Sequence, residues 1–397
     1  MYTEEILKKA EEISDILISI RRDLHAYPEI GLEEIRTSKI VADYLSDLGL
    51  EVRKNVGKTG VIGLLKGKNP GKTVMLRADM DCLKISENCN FQYKSRRPGL
   101  MHACGHDIHT TWLLGAAMIL APMKDKINGN IKFVFQPAEE VSGGAKMMIE
   151  DNVLENPHVD AAFGAHVWPY IEEGTVAIKE GSFMAASDNF KLSIFGKGGH
   201  GGHPQRCIDP IASACEIYMA LQTIISRRVN PLEPAVITVG KFHAGTAHNV
   251  IPSKVEMEGT IRTLTNETRH SIYDMMLNIF KGITSANGSS FDFKYIPYHP
   301  PVVNDKNLTE VVLTAAKKIV GEHKAKRAER ETMVGEDFSY YQQNVPGAFF
   351  WFGSYNEEIG AVNPLHSEKF FVNENIIHTG AAVLAQCAVE YLSNVTR

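Results

Sequence analysis

Apolar residues at Ile6, Ile13, Ile16, Leu17, Ile20 and Leu24 recur at helical spacing, so the chain is expected to open with an amphipathic helix. A second helix is predicted from about Ser38 to Leu48, stopped by Gly49. Strands follow at about Val61–Lys66 and Thr73–Ala78, then a helix from Thr110 to Leu120. Ile131-Lys132-Phe133-Val134-Phe135-Gln136 reads as a strand broken by Pro137, and Phe349-Phe350-Trp351-Phe352 as a buried strand. Alternating helices and strands imply a parallel or mixed sheet covered by helices.

The pattern changes near residue 184. Asp188 to Phe195 and Ala235 to Phe242 read as strands, with a long helix, Pro210 to Arg227, between them. Lys254 to Arg262 alternates as a strand does, Glu267 to Ala286 is helical, and Ser290 to Tyr298 is a last strand. This β-α-β-β-α-β order is the split βαβ pattern of a ferredoxin-like α+β domain. The expected architecture is α/β: a mixed-sheet domain of residues 1–183 and 297–397, interrupted by an inserted domain at 184–296. Insertion at a loop tip is well tolerated.

A chain of 397 residues, 44% hydrophobic, is long enough for two cores. A net charge of −5 without a basic stripe argues against a nucleic-acid partner. The longest apolar run, near Leu113 to Met123, is too short to span a bilayer. The acidic start, Met1-Tyr2-Thr3-Glu4-Glu5, lacks the order of a signal peptide. Six scattered cysteines, Cys82, Cys89, Cys104, Cys207, Cys215 and Cys387, fit a reducing compartment. A cytoplasmic protein is expected.

Candidate chemistry is densest in Met101-His102-Ala103-Cys104-Gly105-His106-Asp107-Ile108-His109, which crowds one thiol, three imidazoles and a carboxylate together. Cys and His are ligands that zinc and its neighbours prefer, and Gly105 permits a tight turn between two of them. Glu139 and Glu140 follow the strand ending at Gln136. Adjacent side chains at a strand end point in different directions, so one can ligate a metal while the other serves as general base. Isolated His166 and His366 each border an apolar segment. Cys104, His106, Glu140, His166 and His366 together would serve two metals sharing one bridging ligand. Asp79 and Asp81, at spacing two, could orient a ligating His or bind metal directly.

These motifs, in this order, resemble the amidohydrolase branch of the M20 metallopeptidases. The resemblance spans nearly the whole chain. It includes Arg21-Arg22-Asp23-Leu24-His25 with Pro28-Glu29, Arg77 to Asp81, Met101 to Asp107, Gln136 to Glu140 and Gly196 to His200. It continues through Asn249-Val250-Ile251-Pro252, Gly335-Glu336-Asp337-Phe338 and Pro364-Leu365-His366. The resemblance implies two divalent ions (Zn, Mn, Ni or Co) held by Cys104, His106, Glu140, His166 and His366, with Glu139 as general base. It implies a lid at about 184–296 that also forms a homodimer. His200 would stabilise the oxyanion from that lid, in the same chain or across the dimer, and Asn249 and Arg262 would hold the substrate carboxylate or polarise the amide. The expected reaction is cleavage of an N-acyl amino acid to a carboxylate and a free amino acid. A dipeptidase or carboxypeptidase of the same family is the alternative.

The chain departs from the family pattern at Cys82-Leu83-Lys84, where relatives commonly read Ala-Leu-Pro. It departs again at Pro204 to Pro210, where the usual His and Gly are missing. Two other classes remain open from sequence. One is a cysteine hydrolase with Cys104 as nucleophile and His106 or His109 as base. The other is a non-catalytic binding module.

Overall fold

Three strands are buried without a break: Ile131 to Gln136 within Asn128–Gln136, Thr73 to Asp79 within Asn69–Asp79, and Gly347 to Ser354 within Gly347–Tyr355. Strands apolar on both faces belong in a parallel sheet sandwiched by helices. The computed structural model, which describes residues 2–141 and 143–394, places them there. Across the eight-stranded sheet the order is Glu51–Val56, Gly60–Lys66, Asn128–Gln136, Asn69–Asp79, Ala161–Glu172, Gly347–Tyr355, Val176–Ile178, Ala325–Arg327. The four middle strands, from Asn128–Gln136 to Gly347–Tyr355, run parallel to one another. Their carboxyl ends therefore open on one edge.

Helix His106–Leu120 is buried at every position except Met118. It is enclosed by helices Tyr2–Glu12, Ser14–Ala26 and Ile377–Asn394. Close approach there depends on glycine: a Cβ on Gly380 would lie 2.2 Å from Trp112 Nε1.

The chain divides into two compact units. The first combines the chain up to Gly181 with Val303–Arg330 and the chain from Asp337, and contains the eight-stranded sheet. The second comprises Ser182–Val302 and Glu331–Glu336. Its antiparallel sheet has the order Ala235–Ala244, Lys254–Thr263, Ala186–Phe195, Ser290–His299, the strand arrangement of a ferredoxin-like domain. Helices Pro210–Thr223 and Asn266–Ala286 bury Ile217, Leu221, Ile272, Met276 and Phe280 against Phe190, Leu192, Val255 and Met257. Among the described residues, no helix is long and apolar enough to cross a membrane.

Several elements differ from expectation. The opening helix is two, Tyr2–Glu12 and Ser14–Ala26, because Ile13 leaves regular helix. The helix expected from Thr110 begins at His106, so the Cys-His cluster itself forms the helix entry. Pro210–Thr223 ends before a π-helical turn at Ile224–Arg228, which lets Val229 N–H bond Ile224 O. The strand bearing His166 runs on to Glu172, so His166 lies inside it, opposite Trp351. The second unit extends past the expected boundary at 296 to Val302 and recruits 331–336.

Two glycine substitutions separate packing from propensity. Gly380→Ala should lower unfolding free energy by about 1–3 kcal/mol, through overpacking against Trp112. Gly282→Ala, where a Cβ would meet nothing within 4 Å of a helix interior, should raise it by about 0.5–1 kcal/mol. Urea unfolding of the two variants checks both signs.

Candidate metal centre

Asp79 ends the strand Asn69–Asp79 and Asp81 lies two residues on. Glu139 and Glu140 follow the neighbouring strand across Pro137, and His166 comes from the next strand on the other side. All therefore gather at the carboxyl ends of the parallel strands, where open α/β sheets present ligands. Gly105, with φ +86°, makes the turn between Cys104 and His106. A Cβ there would come within 2.7 Å of Val167 Cγ2, so the turn packs directly on the His166 strand. His366 is tied to the same motif by its N–H, which donates to Ala103 O at 2.9 Å.

The donor atoms converge. Cys104 Sγ lies 3.4 Å from His166 Nε2, and His366 Nε2 lies 3.3 Å from Glu140 Oε1. His106 Nε2 is 3.9 Å from Glu140 Oε1. Three triads each have donor atoms within 4.8 Å of one another: Cys104, His106, His166; Cys104, Glu140, His366; and His106, Glu139, Glu140. Cys104 belongs to two of them. All five candidate ligands and Glu139 are thus brought together.

Hydrogen bonds settle which imidazole nitrogens are free. His166 Nδ1 lies 2.6 Å from Val167 O, which only accepts, so Nδ1 carries the proton and Nε2 the lone pair. His106 Nδ1 donates to Asp81 Oδ1 at 3.2 Å, leaving Nε2 buried without a hydrogen-bond partner among the described residues. Such carboxylate and carbonyl partners orient metal-binding histidines. His109 differs: its Nε2 accepts Val167 N–H at 2.9 Å and its Nδ1 donates to Asp79 Oδ1 at 2.7 Å. Both nitrogens are occupied, so His109 can neither ligate nor act as a base.

Electrostatics match a cation site. Burial opposes charge on His106, but Asp79, Asp81 and Glu140 outweigh it and raise the imidazole to about 10. A proton on Nε2 there stands where a cation fits. Burial, with Glu140, Glu139 and Asp79 nearby, holds the Cys104 thiol well above its ordinary range. Thiolate at Cys104 therefore needs positive charge beside it, which disfavours Cys104 as a free nucleophile.

Asp81 accepts Glu139 N–H at 3.1 Å and Glu140 N–H at 3.0 Å, besides the His106 proton. It is an orienting carboxylate. Asp79 is shared between His109 and buried Arg77, whose Nη1 donates to it at 2.8 Å. Arg77 Nη2 donates to Asp337 Oδ1 at 2.8 Å and its Nε to Gln136 at 2.9 Å. Asp107, inside the Cys-His motif, faces away from the centre, where Arg21 Nε at 2.9 Å and His25 Nδ1 at 2.8 Å contact it. Reading the sequence assigned no role to Arg77, Gln136, Asp337, Arg21 or His25. The usable signal was charge inside apolar segments, as in Val74-Met75-Leu76-Arg77-Ala78.

His200, Asn249 and Arg262 belong to the second unit. His200 and Asn249 are neighbours: His200 pairs with Val250 and Gly201 N–H donates to Asn249 O at 2.9 Å. His200 Nδ1 accepts Gly202 N–H at 2.9 Å. Half-buried Arg262, on strand Lys254–Thr263, donates to Ile261 O at 3.1 Å and to Thr260 Oγ1.

A mixed sheet with clustered Cys, His and Glu at its carboxyl edge, plus a ferredoxin-like unit, defines a metallohydrolase architecture. The chain belongs to peptidase family M20/M25/M40, whose profile matches residues 75–390. It is a metallo-amidohydrolase by class. It is 41% identical over 393 residues to thermostable carboxypeptidase 1 of Saccharolobus solfataricus, covering 98% of each chain. It is 38% identical over 380 residues to N-acetylcysteine deacetylase of Bacillus subtilis, covering 96% and 97%. A dinuclear metal binding peptidase of the M20 family from Bacillus subtilis superposes with a TM-score of 0.84 at 35% identity, covering 96% of this chain and 99% of that one.

His102, beside the centre, gives an acid-sensitivity prediction. It is buried, neither ring nitrogen has a hydrogen-bond partner among the described residues, and burial lowers it to about 3. The unfolded chain takes up that proton below about 6.5 while the folded protein does not, so stability falls as pH drops from there toward 3. At about pH 4.5 the expected loss from this residue is about 2–3 kcal/mol. Urea unfolding should show a shallower pH slope in His102→Asn than in the parent, and equal slopes would refute the assignment.

Proposed function

We propose that the protein hydrolyses the amide of N-acyl amino acids, releasing a carboxylate and a free amino acid, at a dinuclear centre held by Cys104, His106, Glu140, His166 and His366. One observation carries the proposal: five donors meet at one strand edge while His106 Nε2 is buried without a hydrogen-bond partner among the described residues. The donor set of thiol, imidazoles and carboxylate suits Zn, Mn, Co or Ni. Cys104, His106 and Glu140 each belong to two of the three triads, which supports ligands shared between two ions.

When bound, two divalent ions supply Lewis acidity and make water acidic enough to attack near neutral pH. Glu139 takes the proton from the attacking water and returns it to the leaving amine nitrogen. Asp81, bonded to the Glu139 and Glu140 amides and to His106, fixes the directions of all three. His200 is assigned as oxyanion donor, and Asn249 and Arg262 as holders of the substrate carboxylate. The second unit serves as lid and dimer contact in the same proposal. Six cysteines without a disulfide among the described residues support a cytoplasmic setting.

The relative named as a carboxypeptidase favours a second reading, in which the acyl group is itself an amino acid. The chemistry is the same and a substrate panel separates the two. Metal-stripped protein should be inactive on N-acyl amino acids and dipeptides and recover with added Mn, Zn, Co or Ni. Glu139→Ala should lower kcat by about 10²–10⁴-fold while metal content stays unchanged. Activity that ignores metal, or survives loss of Glu139, overturns the proposal.

A further inference from the structure

Glu34 carries no role in the account so far, yet it is completely buried. It directly precedes helix Ile35–Asp47, but the helix entry is satisfied by Glu29, which accepts Arg36 N–H at 3.1 Å and Thr37 N–H at 2.8 Å. The Glu34 carboxylate reaches elsewhere. Oε1 accepts Ala138 N–H at 2.9 Å and Oε2 accepts the Thr59 hydroxyl at 2.6 Å.

Ala138 has φ +55°, the left-handed region that residues with a Cβ avoid. It lies between Pro137 and Glu139, where the chain leaves the strand. Ala138 O accepts Gly144 N–H at 3.4 Å, and the next two amides go to Asp81. Three successive N–H groups are thus taken by two buried carboxylates. Gly31 packs so closely that a Cβ on it would stand 3.0 Å from Ala138 Cα. A strand continuing past Pro137 would send Glu139 and Glu140 to opposite faces. The left-handed step turns the chain out of the strand immediately before both residues, and their carboxylates and a His106 nitrogen lie within 4.8 Å of one another.

We propose that Glu34 is a positioning residue for this centre: by holding the Ala138 amide it keeps the left-handed turn that directs Glu139 and Glu140. The inference rests on the functional reading above. Glutamine can replace the carboxylate, since its amide oxygen accepts Ala138 N–H while its amino group donates to Thr59 Oγ1. Glycine at the turn adopts positive φ without a Cβ penalty and so lessens the need for the clamp.

The test compares the parent, Glu34→Gln, Glu34→Ala, Ala138→Gly and the Glu34→Ala/Ala138→Gly double variant. Each is assayed for Mn affinity by equilibrium dialysis, the Co(II) absorption spectrum, thermal unfolding, and kcat and KM on N-acetyl amino acids. Glu34→Ala should lose about 10–100-fold in Mn affinity or kcat, with KM little changed. Glu34→Gln should stay close to the parent. Ala138→Gly should recover part of the loss, so that the double-variant cycle shows coupling. A Glu34→Ala protein with lowered Tm but parental affinity, Co(II) spectrum and kcat overturns the proposal, as does an equal loss with and without Ala138→Gly. A parent that binds metal but cleaves no amide sinks the functional reading and leaves the affinities and spectra to decide on Glu34. A parent that binds no metal overturns both.

Discussion

Excess negative charge in a dry place is the constraint that organises this protein. Asp79, Asp81 and Asp337 are buried at the carboxyl ends of the parallel strands, and Glu140 is 10% exposed beside them. Each buried ion costs several kcal/mol unless it is paired and hydrogen-bonded. Arg77 spreads one charge over Asp79 and Asp337, and His106 is driven toward its charged form by Asp79, Asp81 and Glu140. Those two cations do not balance the group. Bound divalent ions would, and His106 Nε2, without a hydrogen-bond partner among the described residues, is a candidate ligand for one.

The same carboxylates also govern the backbone. Asp81 binds two amides of the turn that presents Glu139 and Glu140, and Glu34 binds the amide before them. Asp337 accepts Ala145 N–H at 3.1 Å, just beyond that turn. Charges that would destabilise an apolar core are therefore satisfied by the irregular segments that carry the candidate ligands. Loops at the strand ends become as well determined as the strands. Two of the residues with side chains held at positive φ, Ala138 and His366, lie here, which puts backbone strain at the candidate centre.

Much of this was legible in the sequence because its signals are local. Continuous apolar runs announced the central strands, and the β-α-β-β-α-β order announced the ferredoxin-like unit. The Cys104–His106 pair and the Glu139–Glu140 pair stood out as candidates through residue type and short spacing. The rest depends on registers and long-range partners that periodicity does not encode. His109 looked equivalent to His106 in sequence. Its separation in role comes from Val167 N–H, which approaches only because strand Ala161–Glu172 lies beside the helix entry. Asp107 sits among candidate ligands in sequence, yet the helical turn carries it to the opposite side, toward Arg21 and His25. Neither His166 nor His366 could be distinguished alone from a structural histidine, and they became candidates only beside the Cys-His cluster and the Glu pair.

The character of the donors also narrows the metal. Calcium and magnesium prefer all-oxygen shells, and magnesium holds its water tightly. Here imidazole Nε2 atoms and a thiol occupy the inner positions, with a carboxylate between His106 and His366. The thiol is protonated unless a strong positive charge lies against it, since both burial and neighbouring carboxylates oppose its ionisation. His106 likewise must surrender a proton that its surroundings favour. An ion held by Cys104 and His106 would replace their protons, and an ion that polarises sulfur and nitrogen strongly would do so more readily than a hard one. His366, 53% exposed and seated on a strained backbone at the rim, is the ligand candidate through which solvent meets the buried donors.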